Sequence, residues 1–167
     1  MVDVVGHQSA SMPCLRVYLV HHGEAVGPDV DLRRPLSEAG RLTSERTAAA
    51  AAARGARPPV VWHSGKLRAK QTAEIYWRAC NALADFAASR DLQPDDRPMF
   101  MRDRLRHEAR DILMAGHFPY LPRLLALLTG DADGAQTEFP LNGIVALRTT
   151  DDGETWTEEW RIAALAE

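Results

Sequence analysis

Three short segments of the chain end in histidine-bearing turns: Val17-Tyr18-Leu19-Val20-His21-His22-Gly23-Glu24, Val60-Val61-Trp62-His63-Ser64-Gly65 and Ile112-Leu113-Met114-Ala115-Gly116-His117. Each begins as an apolar, β-rich run of the kind that forms a buried parallel strand. Turns at the carboxyl ends of such strands lie where open α/β sheets hold their ligands. Imidazole can act there as a nucleophile or as a donor to developing charge. Gly23 lets the backbone come close to whatever is bound. Two adjacent imidazoles followed by glycine therefore point to chemistry rather than to packing. Arg68, just inside the helix that follows Gly65, adds a fixed pair of donors matched to two oxygens of a phosphate. A guanidinium in a first helical turn opposes the helix dipole, and a bound anion would explain its placement.

The elements that must position these side chains follow from periodicity and turn residues. Leu15–His21 reads as a first strand, followed by a Gly-, Pro- and Asp-containing loop over 23–34. Ser37 is a good N-cap for a helix over Glu38–Arg54 that Gly55 ends. A short strand at Val60–Trp62 leads to a helix over Leu67–Ser89, and 91–106, broken by Pro94 and Pro98, reads as loop. Ile112–Ala115 is another buried strand, and a helix over Tyr120–Leu128 stops at Thr129-Gly130. After a loop over Asp131–Glu138, strands at Ile144–Thr149 and Thr155–Ile162 flank Asp151-Asp152-Gly153, a hairpin signal. Strands alternating with helices imply a three-layer α/β/α fold, its sheet mostly parallel with an antiparallel C-terminal edge hairpin. This puts His22, His63, His117 and the amino end of the helix at Leu67 on one rim, the geometry of a phosphate pocket. Residues 1–14 are expected to form a flexible N-terminal segment and 15–167 a single domain.

The ordered motifs resemble those of the histidine phosphatase superfamily, with its phosphoglycerate mutase-like fold, and in particular the small phosphohistidine phosphatases of the SixA type. Val20-His21-His22-Gly23 is similar to the family's strand ending in Arg-His-Gly. Arg34-Pro35-Leu36-Ser37-Glu38-Ala39-Gly40 is similar to its Arg-Pro-Leu-(Ser/Thr)-x-x-Gly helix entry. Leu67-Arg68-Ala69-Lys70-Gln71-Thr72 matches its Leu-Arg-Ala-x-Gln-Thr helix start, and Gly116-His117 its later strand end. The likeness runs from about Leu15 to Arg161.

The resemblance implies that His22 is the nucleophile, passing through a phosphohistidine intermediate, and that His117 donates a hydrogen bond to the phosphoryl oxygens across the pocket. It makes Arg68 and Arg34 phosphate ligands. Arg33 reads as a surface charge, and Gln71 and Thr72 as packing residues. His21 departs from the pattern, because the family has arginine there. A neutral imidazole donates one hydrogen bond and carries charge only near or below a pKa of about 6.5. Phosphate binding through His21 should then depend on pH. The general acid has no distinctive motif; Glu24 and Asp96 are the candidate proton donors, the latter chosen from a group with Asp95, Asp103 and Glu108. A leaving imidazole accepts a proton readily, so a weak general acid suits phosphohistidine better than an alkyl phosphate.

Composition narrows the function further. In 167 residues, 20 basic against 23 acidic side chains give no electrostatic case for nucleic acid or an anionic membrane. Cys14 and Cys80 do not make a disulfide framework, and neither starts a Cys-x5-Arg loop. Both fit a reducing cytosol, and the expected location is cytoplasmic. No signal peptide, membrane-length apolar run, P-loop, zinc-protease helix or calcium loop is present, so no metal or cofactor is expected. The leading reading is a metal-independent phosphatase acting on phosphohistidine in a protein partner. Its alternatives are a non-catalytic phosphate- or phosphoprotein-binding module, motivated by His21, and a small-molecule phosphomonoesterase of the same fold.

Overall fold

The structure is a computed structural model and describes residues 14–131 and 138–165. Most of the expected N-terminal segment and most of the Asp131–Glu138 loop thus lie outside the described residues. The elements in chain order are β1 (Leu15–His21), α1 (Glu38–Ala53), β2 (Val60–His63), α2 (Leu67–Cys80), β3 (Asp85–Ala88), α3 (Pro98–Leu105), β4 (Ile112–Gly116), α4 (Tyr120–Thr129), β5 (Ile144–Thr149) and β6 (Thr157–Ile162). Six strands form one sheet in the order β3-β2-β4-β1-β5-β6. β3, β2, β4 and β1 are mutually parallel, whereas β5 runs antiparallel to β1 and β6 antiparallel to β5. The expected α/β/α fold with an antiparallel edge hairpin is therefore present.

Strand alternation divides β1 between two cores. Val17 and Leu19 pack with Met101, Leu105, Leu121, Leu124 and Leu125 of α3 and α4 on one face. Tyr18 and Val20 pack with Ala48, Ala51, Ala73 and Tyr76 of α1 and α2 on the other. Small alanines let the helices of this second face lie close to the sheet and to each other. The central strands are apolar on both sides, as a sheet covered on both faces requires.

Two expectations need correction. The helix expected over Leu67–Ser89 ends at Cys80, and β3 follows. Asn81 breaks it: its Nδ2 donates to the Pro58 carbonyl at 3.1 Å, its Oδ1 accepts from Leu83 N–H at 3.1 Å, and the chain turns back. Asp85–Ala88 then pairs in parallel with β2, a tertiary demand that overrides the helical propensity of an alanine-rich stretch. The segment expected to be loop over 91–106 contains α3. Pro98 occupies the first turn of this helix, where its missing N–H costs nothing, and does not break it. Met101 and Leu105, one turn apart, bury its inner side. A smaller difference is that β6 starts at Thr157, because Thr155 N–H donates to Asp151 Oδ1 at 2.9 Å and is held in the turn.

Candidate active site

The registers of β1, β2 and β4 align their carboxyl ends. His21 lies opposite Gly116, and His63 opposite Ala115, so the turns after the three strands share one rim. His22 and His117 face each other there, with ring centroids 5.1 Å apart. His63 is on the same rim but is turned away from them. Its ring packs 5.1 Å from Phe86 of the edge strand, and its Nδ1 accepts from Gly65 N–H at 3.0 Å.

The His22 turn is held from three sides. Gly23 N–H donates to Thr72 Oγ1 at 3.0 Å, and that hydroxyl donates to the Arg68 carbonyl at 2.8 Å. The turn is thereby tied to α2. A Cβ on Gly23 would stand 2.5 Å from Ser44 Oγ and 2.9 Å from the Gly40 carbonyl, so the turn also rests directly on α1. From the β5 side, Asn142 Nδ2 donates to the His22 carbonyl at 2.7 Å. His22 Nδ1 lies 2.7 Å from the Gly23 carbonyl oxygen. A carbonyl only accepts, so Nδ1 carries the ring proton and Nε2 is left with its lone pair free, the form a nucleophile needs. Burial lowers the His22 pKa, and Arg68 and Arg34 lower it further against an opposing hydrogen bond to Gly23. The ring is thus kept neutral.

Arg68 stands at the opening of α2, half-buried, and its Nε is buried with no hydrogen-bond partner. Burial and the neighbouring Arg34 both lower its pKa. Arg34 has φ +48°, in the left-handed region, where a side chain other than glycine is strained. Its loop holds that shape through Val26 N–H to the Pro35 carbonyl at 2.9 Å, Arg34 N–H to the Asp31 carbonyl at 3.0 Å and an Ala25–Leu36 bridge. Arg34 Nε donates to the Val26 carbonyl at 3.0 Å. Gln71 Oε1 accepts from Leu36 N–H at 2.7 Å and fixes this loop to α2. Arg33, as expected, is exposed and pairs with Asp31. Among the described residues neither Arg34 nor Arg68 meets a carboxylate in an ion pair. Two cations and two imidazoles in one place without a counter-charge favour an anion.

His117 is buried, with its Nε2 2.6 Å from Ser64 Oγ and its Nδ1 without a partner. Burial, with His22 and Arg68 nearby, lowers its pKa to about 3. It is a neutral ring, as a hydrogen-bond donor to a phosphoryl group can be.

His21 corrects an expectation. Its ring is buried and stacked on Phe118 at 4.0 Å and 5°, and Asn142 N–H donates to its Nδ1 at 2.8 Å. Burial, then His22 and Arg68, lower its pKa to about 3. His21 therefore supplies no positive charge in the neutral range, and its charge does not change there. With Nδ1 accepting, the ring proton sits on Nε2, which makes His21 a fixed neutral donor.

The candidate proton donors are not joined to this cluster by a contact. Glu24 is exposed, and its Oε1 accepts from Ser37 Oγ at 3.1 Å at the start of α1. Asp96 Oδ2 accepts from Gln93 N–H at 2.8 Å and closes a turn. Ser64, Asn142, Gln93 and Phe118 escaped the sequence reading. Serine, asparagine and glutamine in connecting turns are common, and their partners lie 53, 121 and 29 positions away.

No family model matches the chain, and no curated protein matches it by sequence. Solved structures do. A protein assigned as phosphohistidine phosphatase SixA from Agrobacterium tumefaciens is 25% identical, with TM-score 0.72, over 89% of this chain and 97% of that one. A protein histidine phosphatase SixA complexed with tungstate has TM-score 0.78 and 23% identity over 90% of this chain and 97% of its own. A mycobacterial glucosyl-3-phosphoglycerate phosphatase has TM-score 0.67 and 13% identity, covering 92% and 100%. The chain has the fold of the histidine phosphatase superfamily, with SixA phosphohistidine phosphatases among its structural neighbours.

Proposed function

We propose that this chain is a phosphatase in which His22 is the nucleophile and that its substrate is phosphohistidine on a protein. The observation that carries the reading is the half-buried Arg68 guanidinium. Its Nε has no partner, and it stands beside Arg34 and the neutral imidazoles of His22 and His117. An unsatisfied buried donor costs roughly 1–3 kcal/mol, which a bound phosphate would recover. In the first step His22 Nε2 attacks phosphorus as the bond from phosphorus to the substrate imidazole breaks, and the leaving imidazole takes up a proton. In the second step water attacks the phosphoryl group on His22, releasing inorganic phosphate and the free ring. Arg68 and Arg34 bind the phosphoryl oxygens, and His21 Nε2–H and His117 add neutral donors.

A protein substrate is supported by the lack, among the described residues, of a cap between β3 and β4. Between β3 and β4, the chain from Ser89 to Asp111 spends its length on α3, which packs against α4 in the outer layer of the fold. Val30 and Leu32 stand exposed on the loop that carries Arg34, suiting a partner surface beside the phosphate. Among the described residues no helix is long and apolar enough to cross a membrane.

The second reading is a phosphate-binding module without turnover. It is favoured by His21, where the family's fixed charge is replaced by a neutral ring. A third, suggested by the glucosyl-3-phosphoglycerate phosphatase neighbour, is a small-molecule phosphomonoesterase. The test is phosphate release from a phosphohistidine-bearing protein and from a set of sugar and glycerate phosphates at equal concentration. Preferential release from the protein supports the first reading. Binding without release supports the module, and preference for the small esters supports the third.

A further inference from the structure

The partner of His117 has a consequence for which end of the ring meets the phosphoryl group. Ser64 Oγ lies 2.6 Å from His117 Nε2, and both residues are buried. Lys66 N–H donates to the same Oγ at 3.4 Å, and Gln93 Nε2 donates to the Ser64 carbonyl at 2.5 Å. The hydroxyl is therefore supplied with a donor of its own, and its hydrogen is available to His117. His117 Nδ1 is buried without a partner, on a ring centred 5.1 Å from that of His22.

We propose that Ser64 is a positioning residue that fixes the catalytic tautomer of His117, its hydroxyl donating to Nε2 so that the ring proton sits on Nδ1, toward the phosphoryl group. A hydroxyl can donate or accept, and a neutral imidazole carries one N–H. In the opposite arrangement Nε2–H donates to Ser64, and Nδ1 presents a lone pair to phosphoryl oxygens that are themselves acceptors. That contact is repulsive as charge builds on the oxygens. With Nδ1–H, the one orphaned nitrogen of the ring becomes a donor with a use. The loop bearing Gln93 thereby contributes to the site at one remove, because it holds the Ser64 backbone in place. The kinetic part of this proposal rests on the phosphatase reading above, and the tautomer on a phosphoryl group being bound at the site, with or without turnover.

The experiment is heteronuclear NMR of the imidazole nitrogens in the full chain, free and with inorganic phosphate, paired with kinetics on a phosphohistidine protein. The His117 signals are identified by their loss in His117→Gln. We expect the Nδ1–H pattern in the natural chain, a shift toward Nε2–H in Ser64→Ala, and its restoration in Ser64→Thr, which keeps the hydroxyl. Ser64→Ala should lose about tenfold or more in kcat, with KM changed by less than about threefold. Ser64→Thr should recover most of the rate. An Nε2–H pattern in the natural chain overturns the proposal outright, whether or not Ser64→Ala folds. Unchanged tautomer and unchanged kcat in a folded Ser64→Ala overturn it equally. If the natural chain releases no phosphate but shows the Nδ1–H pattern lost in Ser64→Ala, the phosphatase reading fails and the role of Ser64 in fixing the ring stands.

Discussion

Arg68 is held in a place that stability alone would not choose. Its guanidinium is half-buried, its Nε lacks an acceptor, and a second arginine lies nearby. Arg68→Ala should cost about 2–4 kcal/mol in transition-state stabilisation. The melting temperature should stay level or rise, because a buried, repelled cation is removed. A loss in kcat/KM below about tenfold would take Arg68 out of the phosphate site. His21 makes a prediction of a different kind. Its pKa is about 3, so it is neutral on both sides of pH 7, and the proton it would lose on a rise in pH is already gone. The rate of the natural chain should then show no alkaline decline near the ordinary imidazole value of about 6.5. His21→Arg should tighten competitive inhibition by orthophosphate by roughly tenfold, the scale of one charged hydrogen bond. The same variant leaves Asn142 N–H without its acceptor and should melt lower. A decline near pH 6.5 that His21→Arg abolishes would show that the natural ring is charged at work.

The turns that present these residues are set by contacts between elements. Gly40, in the first turn of α1, packs against the backbone of Glu24 so closely that a Cβ would overlap its carbonyl oxygen. Ser37 caps the same helix by accepting from Gly40 N–H at 2.9 Å, while the Glu24 carbonyl accepts from Ser37 N–H at 2.9 Å. The start of α1 and the turn after β1 therefore form one unit. Gly40→Ala should push the Glu24 backbone away, misplace His22 and lower both kcat and the melting temperature, which parallel kinetics and calorimetry would detect. Full activity in Gly40→Ala would mean that the turn is positioned by Thr72 and Asn142 alone. The Ser37 cap, the Gly55 and Gly130 helix ends and the strand at Ile144–Thr149 were all legible in the sequence, because each rests on local chemistry. β3 and α3 were not. An alanine-rich segment becomes a strand only because β2 offers it an edge, and a proline opens a helix only because Met101 and Leu105 find a core behind it.

Across the whole molecule the sheet converts separate motifs into one site. The parallel registers of β1, β2 and β4 set His21 opposite Gly116 and His63 opposite Ala115, so the residues following them share a rim. This juxtaposition was legible from the strand-turn pattern, and it places His22, His117, Arg34 and Arg68 together. What was not legible is the layer beneath them: Asn142 under His21 and His22, Ser64 under His117, Thr72 under Gly23. Their partners are set by the three-dimensional crossing of loops, which leaves no spacing signature in the chain. Burial, with His22 and Arg68 nearby, lowers the pKa of His21, whose type alone suggested a switchable charge. The nucleophile is identified by mass spectrometry of the intact chain and its peptides after brief exposure to a phosphohistidine protein, under conditions that preserve phosphoramidates. One phosphoryl group is expected on His22 of the natural chain, decaying as inorganic phosphate appears, and none on a folded His22→Ala variant. Turnover in His22→Ala, or phosphate release with the label on another residue, would contradict it.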